Sequence, residues 1–257
     1  MRRIIIFLSL VILALAACNQ NSVRITPSLD KQIEQRKTVM LDSAQCTYSN
    51  AEKWEVIEAF THAMEDSAAT YQSKIDSVLT GPAREVYIAE RKAFSNWYDY
   101  QSFVASVVVV EIWQLYIGGT AGGTLYEMHL YDRANANMTE QEIIFNALAK
   151  QAYAASYQSS ATLEEILEAK DSLVAELMST YSLIDNEDNW RSLDHTADEV
   201  EGFISKDLSL FQEWISARND FESLVNPDIS DLFSSQTGYW LDLYLQTIQG
   251  KYIQETY

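Results

Sequence analysis

Histidine, cysteine, proline, glycine and positive charge are all in short supply in this 257-residue chain, and each shortage closes off a class of structure or chemistry. The three histidines, His62, His129 and His195, lie far apart in sequence. They form neither the pair that metalloproteases use nor the glutamate-histidine pairs of di-iron bundles, so no metal, no cofactor and no catalytic site is expected. His62 is one helical turn from Glu58 and from Asp66, the arrangement of an ordinary exposed helix face. Of the two cysteines, Cys18 is assigned below to lipid, which leaves Cys46 without a disulfide partner and the fold dependent on packing. Cys46 reads as a small residue on a helix face; the other reading is a reactive thiol or an intermolecular bridge. Lysine and arginine number 18 against 37 aspartates and glutamates, a net charge of −19. That balance is a poor match for nucleic acid, which can be set aside, and for anionic lipid headgroups, and it suits either a cationic partner or plain solubility. Three prolines and eight glycines leave room for long unbroken elements.

What the chain does have begins at its N-terminus. Met1-Arg2-Arg3 leads into an apolar run from Ile4 to Ala17, broken only by Ser9, that stops at Leu15-Ala16-Ala17-Cys18. A basic start, a short apolar stretch and small residues before a cysteine are the layout of a bacterial lipoprotein signal peptide. The run is too short to span a bilayer. Cleavage before Cys18 would allow acylation of its thiol and of its freed amine, palmitate included, and two or three acyl chains hold far more firmly than one. Residues 1–17 are therefore expected to be a signal peptide and 18–27 an acylated tether. Asn19, where an aspartate would retain the protein at the inner membrane, favours the outer membrane.

Downstream, the periodicity is helical. One helix is expected from Ser28 to Ala44 and a second from Ala51 to Thr80, where Trp54, Ile57, Met64, Tyr71, Ile75 and Val78 recur at three- and four-residue steps. Gly81-Pro82 stops it. A third starts near Ala83 and runs into the apolar segment Phe103–Ile117, whose four consecutive valines suit a strand but whose length and context argue for a buried helix. Gly118-Gly119 and Gly122-Gly123 make a turn, and Thr124 to Asn135 forms another helix. Thr139 with Glu142, Thr162 with Glu165 and Thr196 with Glu199 each have the spacing of a capping box and mark three helix starts. A last helix runs from Asp228 toward Gln249. The fold class is all-α, a helical bundle.

Phe94-Ser-Asn-Trp97 and Phe211-Gln-Glu-Trp214 place two rings on one helix face, each followed four residues on by a polar side chain, Gln101 and Arg218. Each segment precedes a break and an aromatic helix, carrying Tyr126 and Tyr131 in one case and Tyr239 and Trp240 in the other. This order suggests two diverged tandem bundles, 28–138 and 139–257, unless the pairs are two unrelated core faces. Residues 68–136 resemble the lysozyme-inhibitor LprI-like domain, a helical module of exported bacterial proteins. The resemblance rests on Tyr71 and Leu79, Ala89-Glu90-Arg91, Trp97 and Tyr100, Gly118-Gly119-Thr120 and Arg133; Arg218 is similar to an arginine the family has after its tryptophan. Gln101 replaces that arginine in the first half, and Ala105 and His129 stand where family members often have cysteines. The resemblance implies a helical fold and packing roles for these residues, and it brings lysozyme inhibition into view.

Two apparent ligand motifs fail on inspection. Asp185–Asn189 has the acids of a calcium loop, but Trp190 holds the glycine position and Thr196 the closing glutamate position. Gly118–Gly123 lacks the lysine and hydroxyl of a phosphate loop. Arg218 either stacks on a ring or pairs with a buried carboxylate to fix helix register, or it contacts a partner. The function expected is an envelope-anchored binding lipoprotein that captures lysozyme or another basic protein; the alternative is an assembly lipoprotein that holds a partner in an aromatic groove near Tyr239-Trp240.

Overall fold

A computed structural model describes residues 29–47, 49–113, 122–148, 164, 175–184, 193–224, 239–240 and 242–243. The signal peptide, the tether, Gly118-Gly119 and the Thr162 capping box lie outside the described residues. The protein is an all-α helical bundle with the helices α1 Leu29–Gln45, α2 Asn50–Val78, α3 Gly81–Ala105, α4 Gly122–Leu148 and α5 Ala197–Leu224. Residues 175–184 are also helical. None of the described helices is long and apolar enough to cross a membrane.

Local chemistry explains most of the boundaries. Ser49 caps α2 by accepting a hydrogen bond from the Glu52 amide. Leu79 and Thr80 are extended, and Gly81 takes a left-handed φ of 57° that a side chain would strain, after which Pro82 opens α3. At α5 the expected capping box is complete: the Glu199 amide donates to Thr196 Oγ1, and the Glu199 carboxylate accepts from the Thr196 amide at 2.8 Å. Beyond α3 the valines neither extend nor continue the α-helix; Ser106–Trp113 winds as a π-helix with Val107, Val108, Val109, Ile112 and Trp113 buried. The wider turn lets adjacent valines all face protein, a pattern that a period of 3.6 residues does not anticipate. Cys46 lies exposed in the turn after α1, hydrogen-bonded through its amide to Ser43, and not on a helix face.

The largest departure from expectation is at Thr139. No helix starts there. Its hydroxyl bonds back to the Asn135 carbonyl at 2.7 Å while accepting from Arg36, and Glu142 is held by Arg36 at 2.5 Å, so neither is free to cap. α4 consequently runs unbroken across residues 138 and 139, where the two bundles were expected to divide. One apolar core draws Phe94 and Trp97 together with Phe211, Trp214 and Trp240 from the two sides of that division. A smaller core of Met40, Ile57, Met64, Ala68, Tyr131, Ala134 and Met138 joins α1, α2 and α4.

α3 and α5 pack antiparallel through a ladder of rings. Tyr87 meets Phe221, Phe94 meets Trp214, Trp97 meets Phe211, and Phe103 meets Phe203, at centroid separations of 5.2, 5.1, 4.9 and 4.9 Å. α2 lies along α4, and α1 rests on both. Of the face expected on α2, Ile57, Met64 and Ile75 are buried, Tyr71 is half-buried against Phe145, and Trp54 and Val78 are exposed. This arrangement makes α4 the axis of the bundle.

Candidate functional site

α4 is buried from Tyr131 to Gln141 without interruption, although eight of the residues between His129 and Gln141 are polar. A polar run in a sequence ordinarily marks surface, because burying such groups unpaired costs several kcal/mol. Here they pair with other helices. Lys37 donates to Asp132 at 2.8 Å and Asn135 donates to the Ile33 carbonyl at 2.9 Å, both on α1. Toward α3, His129 meets Gln101, Arg133 donates to Ser102 Oγ and to the Tyr98 carbonyl, Asn137 accepts from Arg91, and Gln141 accepts from Tyr87 at 2.8 Å. Toward α5, Glu140 accepts from Arg218 at 2.6 Å. These bonds run up three sides of one helix and fix its register and rotation.

The densest part is an ionic cluster of Glu90, Arg91, Glu140 and Arg218 inside an aromatic shell. Glu140, 1% exposed, receives Arg218 and the Trp240 indole N–H, each at 2.6 Å, with Arg91 at 3.5 Å. Glu90 is paired with its neighbour Arg91 and accepts from the Trp214 indole at 2.6 Å. Burial pushes the Glu90 carboxyl up, but the charges of Arg91 and Arg218 and the bonds from Arg91 and Trp214 outweigh it and hold it below the ordinary carboxylate range. Trp97 and Trp214 stack at 5.0 Å with planes 4° apart, and Trp240 meets both edge-on at 5.5 and 5.8 Å. The cluster holds two acids and two arginines, so it carries no net charge.

The ladder brings two acidic residues to equivalent places. Glu90 and Asp207 each precede a tryptophan of their own helix by seven residues, and each faces the tryptophan of the other helix. Their surroundings differ. Where Glu90 has Arg91 beside it and Arg218 beyond the stack, the matching positions around Asp207 are Leu208 and Gln101. Asp207 is fully buried, and no hydrogen bond of ordinary geometry closes on either of its oxygens, although the Trp97 indole N–H and the charge of Arg133 both act on its carboxylate. Burial pushes its carboxyl up to about 8 against the opposing pull of Arg133 and Trp97. His129, also fully buried, is driven well below the ordinary histidine range by burial and by Arg133.

Every described member of the sequence-expected set belongs to this interior or borders it. Phe94, Trp97, Phe211 and Trp214 form the ladder, Arg133 and Arg218 are its buried cations, Tyr100 lies under Lys206 at 4.3 Å, and Tyr71 packs on Phe145 at 6.1 Å. Leu15, Ala16, Ala17, Cys18, Gly118 and Gly119 lie outside the described residues. Arg218 takes the pairing role and not partner contact: it is 1% exposed, bound to Glu140, with its guanidinium 5.4 Å from the centre of the Trp214 ring. The sequence marks neither Glu140 nor Asp207 as a core residue, and it offers Trp240 for an open groove where the structure buries it. The recurrence of an acid four residues before Phe-x-x-Trp is the available signal for Asp207, whereas nothing local marks Glu140 as buried.

The interior is built for rigidity. A cavity of about 200 Å³ beside Arg91, lined also by Gln72, Phe94, Tyr98 and Asn137, is smaller than the roughly 300 Å³ at which small-molecule sites begin. The described residues contain no group of acids, histidines and cysteines that could hold a metal. An aromatic groove would need Trp240 open to solvent; it is 1% exposed. His62 is exposed between Glu58 and Glu65, as on any charged helix face. A comparison with protein-family profiles, with curated proteins and with solved structures finds no match to any of them.

Proposed function

We propose that this chain is an acylated lipoprotein of the bacterial envelope, anchored through Cys18 in the outer membrane, and that its helical bundle binds a basic protein partner, with lysozyme the first candidate. The observation that carries the reading is the separation of charge. The ionic cluster of the interior is balanced, while the excess of acid lies outside. α2 exposes Glu52, Glu55, Glu58, Glu65 and Asp66, and α5 exposes Asp198, Glu199, Glu201, Glu213 and Asp220. Burial and the like charge of Glu58 together hold the Glu127 carboxyl above the ordinary range, a local sign of that field. A bundle whose surface is predominantly acidic, with fewer exposed lysines and arginines than acids, favours binding a cationic partner, because such a field steers an opposite charge and speeds its encounter. The Leu15-Ala16-Ala17-Cys18 sequence supports putting this surface outside the cytoplasm, and the resemblance to the lysozyme-inhibitor module supplies the candidate partner.

The test uses the full chain made in a bacterial host. Labelled palmitate is expected on the wild type and not on Cys18→Ala. Titration of the membrane-extracted protein with lysozyme, at low and at physiological salt, is expected to give saturable one-to-one binding that weakens with salt and protects cell walls from lysis. A specific interface would bury on the order of 1,600 Å². Absence of binding at low salt refutes the partner, and absence of acylation refutes the anchor.

A further inference from the structure

Of the three histidines, only His195 combines a fixed ring, an unengaged ring nitrogen and access to solvent. Its amide and its ring Nδ1 both donate to one carboxylate, that of Glu111 on the π-helix, at 2.9 and 2.7 Å. Its carbonyl accepts from the Tyr181 hydroxyl. Phe203 and Phe103 meet the ring edge-on at 5.3 and 6.2 Å. Because a carboxylate oxygen only accepts, Nδ1 carries the proton and the lone pair lies on Nε2, for which the described residues supply no partner. The side chain is 28% exposed. His62 differs in having both nitrogens against acids, Glu65 at 3.2 Å and Glu58 at 3.7 Å, and His129 is fully buried.

We propose that His195 is a nucleophilic site that accepts acyl groups at Nε2 from neutral activated esters and anhydrides, with Glu111 as its positioning residue. The Nε2 lone pair forms a bond to the acyl carbon, and the bond from that carbon to the leaving oxygen breaks, its electron pair departing with the leaving group. The Nδ1 proton passes by way of Glu111 to water. Hydrolysis of the acyl-imidazole by a second water releases the acid and returns a proton to the ring. Positive charge develops on the imidazole as Nε2 attacks, and the Glu111 carboxylate opposes that charge from 2.7 Å. The same carboxylate fixes the rotation of the ring, so its orientation is set before a donor arrives.

The surroundings set the class of donor. Phe103, 39% exposed, and Phe203 pack edge-on 4.9 Å apart beside the imidazole and offer apolar surface to a small alkyl or aryl group. Asp194, Asp198 and Glu199 are exposed on either side of His195 in sequence and disfavour an anionic donor. Glu111 stands next to the buried Ile112 on the π-helix, a type of turn that recurs at functional sites. Both of its oxygens are spent on His195, so orientation of this one residue is the work the carboxylate performs.

Site-resolved labelling tests the proposal within one molecule. The full chain is treated with diethyl pyrocarbonate near neutral pH, and the carbethoxylation rate of each histidine is followed by peptide mass spectrometry. If exposure governed the rate, His62, whose side chain is 67% exposed, would lead. The expected order is His195 first and His62 second, with His129 unlabelled. Glu111→Gln is expected to slow His195 about tenfold, the worth of one charge-assisted hydrogen bond, and to leave His62 unchanged. Release of nitrophenolate from 4-nitrophenyl acetate is expected to fall in His195→Gln, which keeps a donor for Glu111, and not in His62→Gln. Labelling of His62 as fast as His195, an unchanged His195 rate in Glu111→Gln, or ester cleavage that His195→Gln leaves intact overturns the proposal. Labelling of His129 reports loss of the fold; should it appear in Glu111→Gln, the wild-type order and His195→Gln decide.

Discussion

Replacing Glu140 with glutamine is the sharpest test of the central helix. The change keeps the shape of the side chain and one acceptor, but it deletes the negative charge that faces Arg218 at 2.6 Å and Arg91 at 3.5 Å. Arg91 keeps Glu90, whereas Arg218 loses the carboxylate it binds most closely and is left with the longer-range attraction of Glu90 that contributes to holding that carboxyl low. Breaking a fully buried pair by neutralising one member costs about 3–5 kcal/mol, because the remaining charge stays in a medium that cannot solvate it. A domain of this size holds about 5–15 kcal/mol in total, so Glu140→Gln is expected to remove roughly a fifth or more of it and to lower the melting temperature by roughly 6–20 °C. Arg218→Met should cost less, since Glu140 would retain the Trp240 N–H at 2.6 Å and Arg91. In the double variant the stranded charge is gone, and part of the loss in Glu140→Gln should return. Urea denaturation followed by far-ultraviolet circular dichroism, with the four proteins treated as a double-mutant cycle, gives the coupling directly. A loss under about 1 kcal/mol in Glu140→Gln, or strictly additive losses, would show that the cluster does not hold α4 to α5.

Two further expectations follow from single observations. Thr196→Ala removes both hydroxyl bonds of the capping box at the start of α5 and should cost about 1 kcal/mol in the same denaturation assay; an effect near zero would mean that tertiary packing alone sets that boundary. For Asp207, the folded carboxyl is raised to about 8 from the ordinary 3.8, so between those values the native state holds a proton that the unfolded chain has lost. Stability should therefore fall as pH rises across that window, by about 1.4 kcal/mol per unit from this group, and level off above it, while Asp207→Asn should lack this slope. A wild-type profile no steeper than that of Asp207→Asn would refute the assignment.

How far the sequence reveals this molecule depends on whether a residue's role is local. Ser49 and Gly81 act within a few residues of themselves, and Thr196 with Glu199 is a contact three residues long; such features are legible because their physics is short-ranged. The Phe94–Trp97 and Phe211–Trp214 pairs announce apolar faces by their spacing, and both are buried. Thr139 with Glu142 has the same local signature as Thr196 with Glu199 and the opposite outcome. The difference is Arg36, more than a hundred residues earlier in the chain, which takes both side chains. The polar stretch from Asp132 to Gln141 is the larger instance. Its composition suits a surface, and it becomes the axis of the bundle because Lys37, Arg91, Tyr87 and Arg218 reach it from other helices.

By itself, then, the sequence determined the class of the fold, because scarce glycine and proline with a persistent helical period admit little else. It also determined the acidity of the chain, since net charge is a sum that folding does not alter. Tertiary structure alone decided which helix is central, which acids are paired, and that Arg218 faces inward while the α2 carboxylates face solvent. Burial is a property of what surrounds a side chain, and for Glu140 and Asp207 those surroundings come from helices distant in sequence.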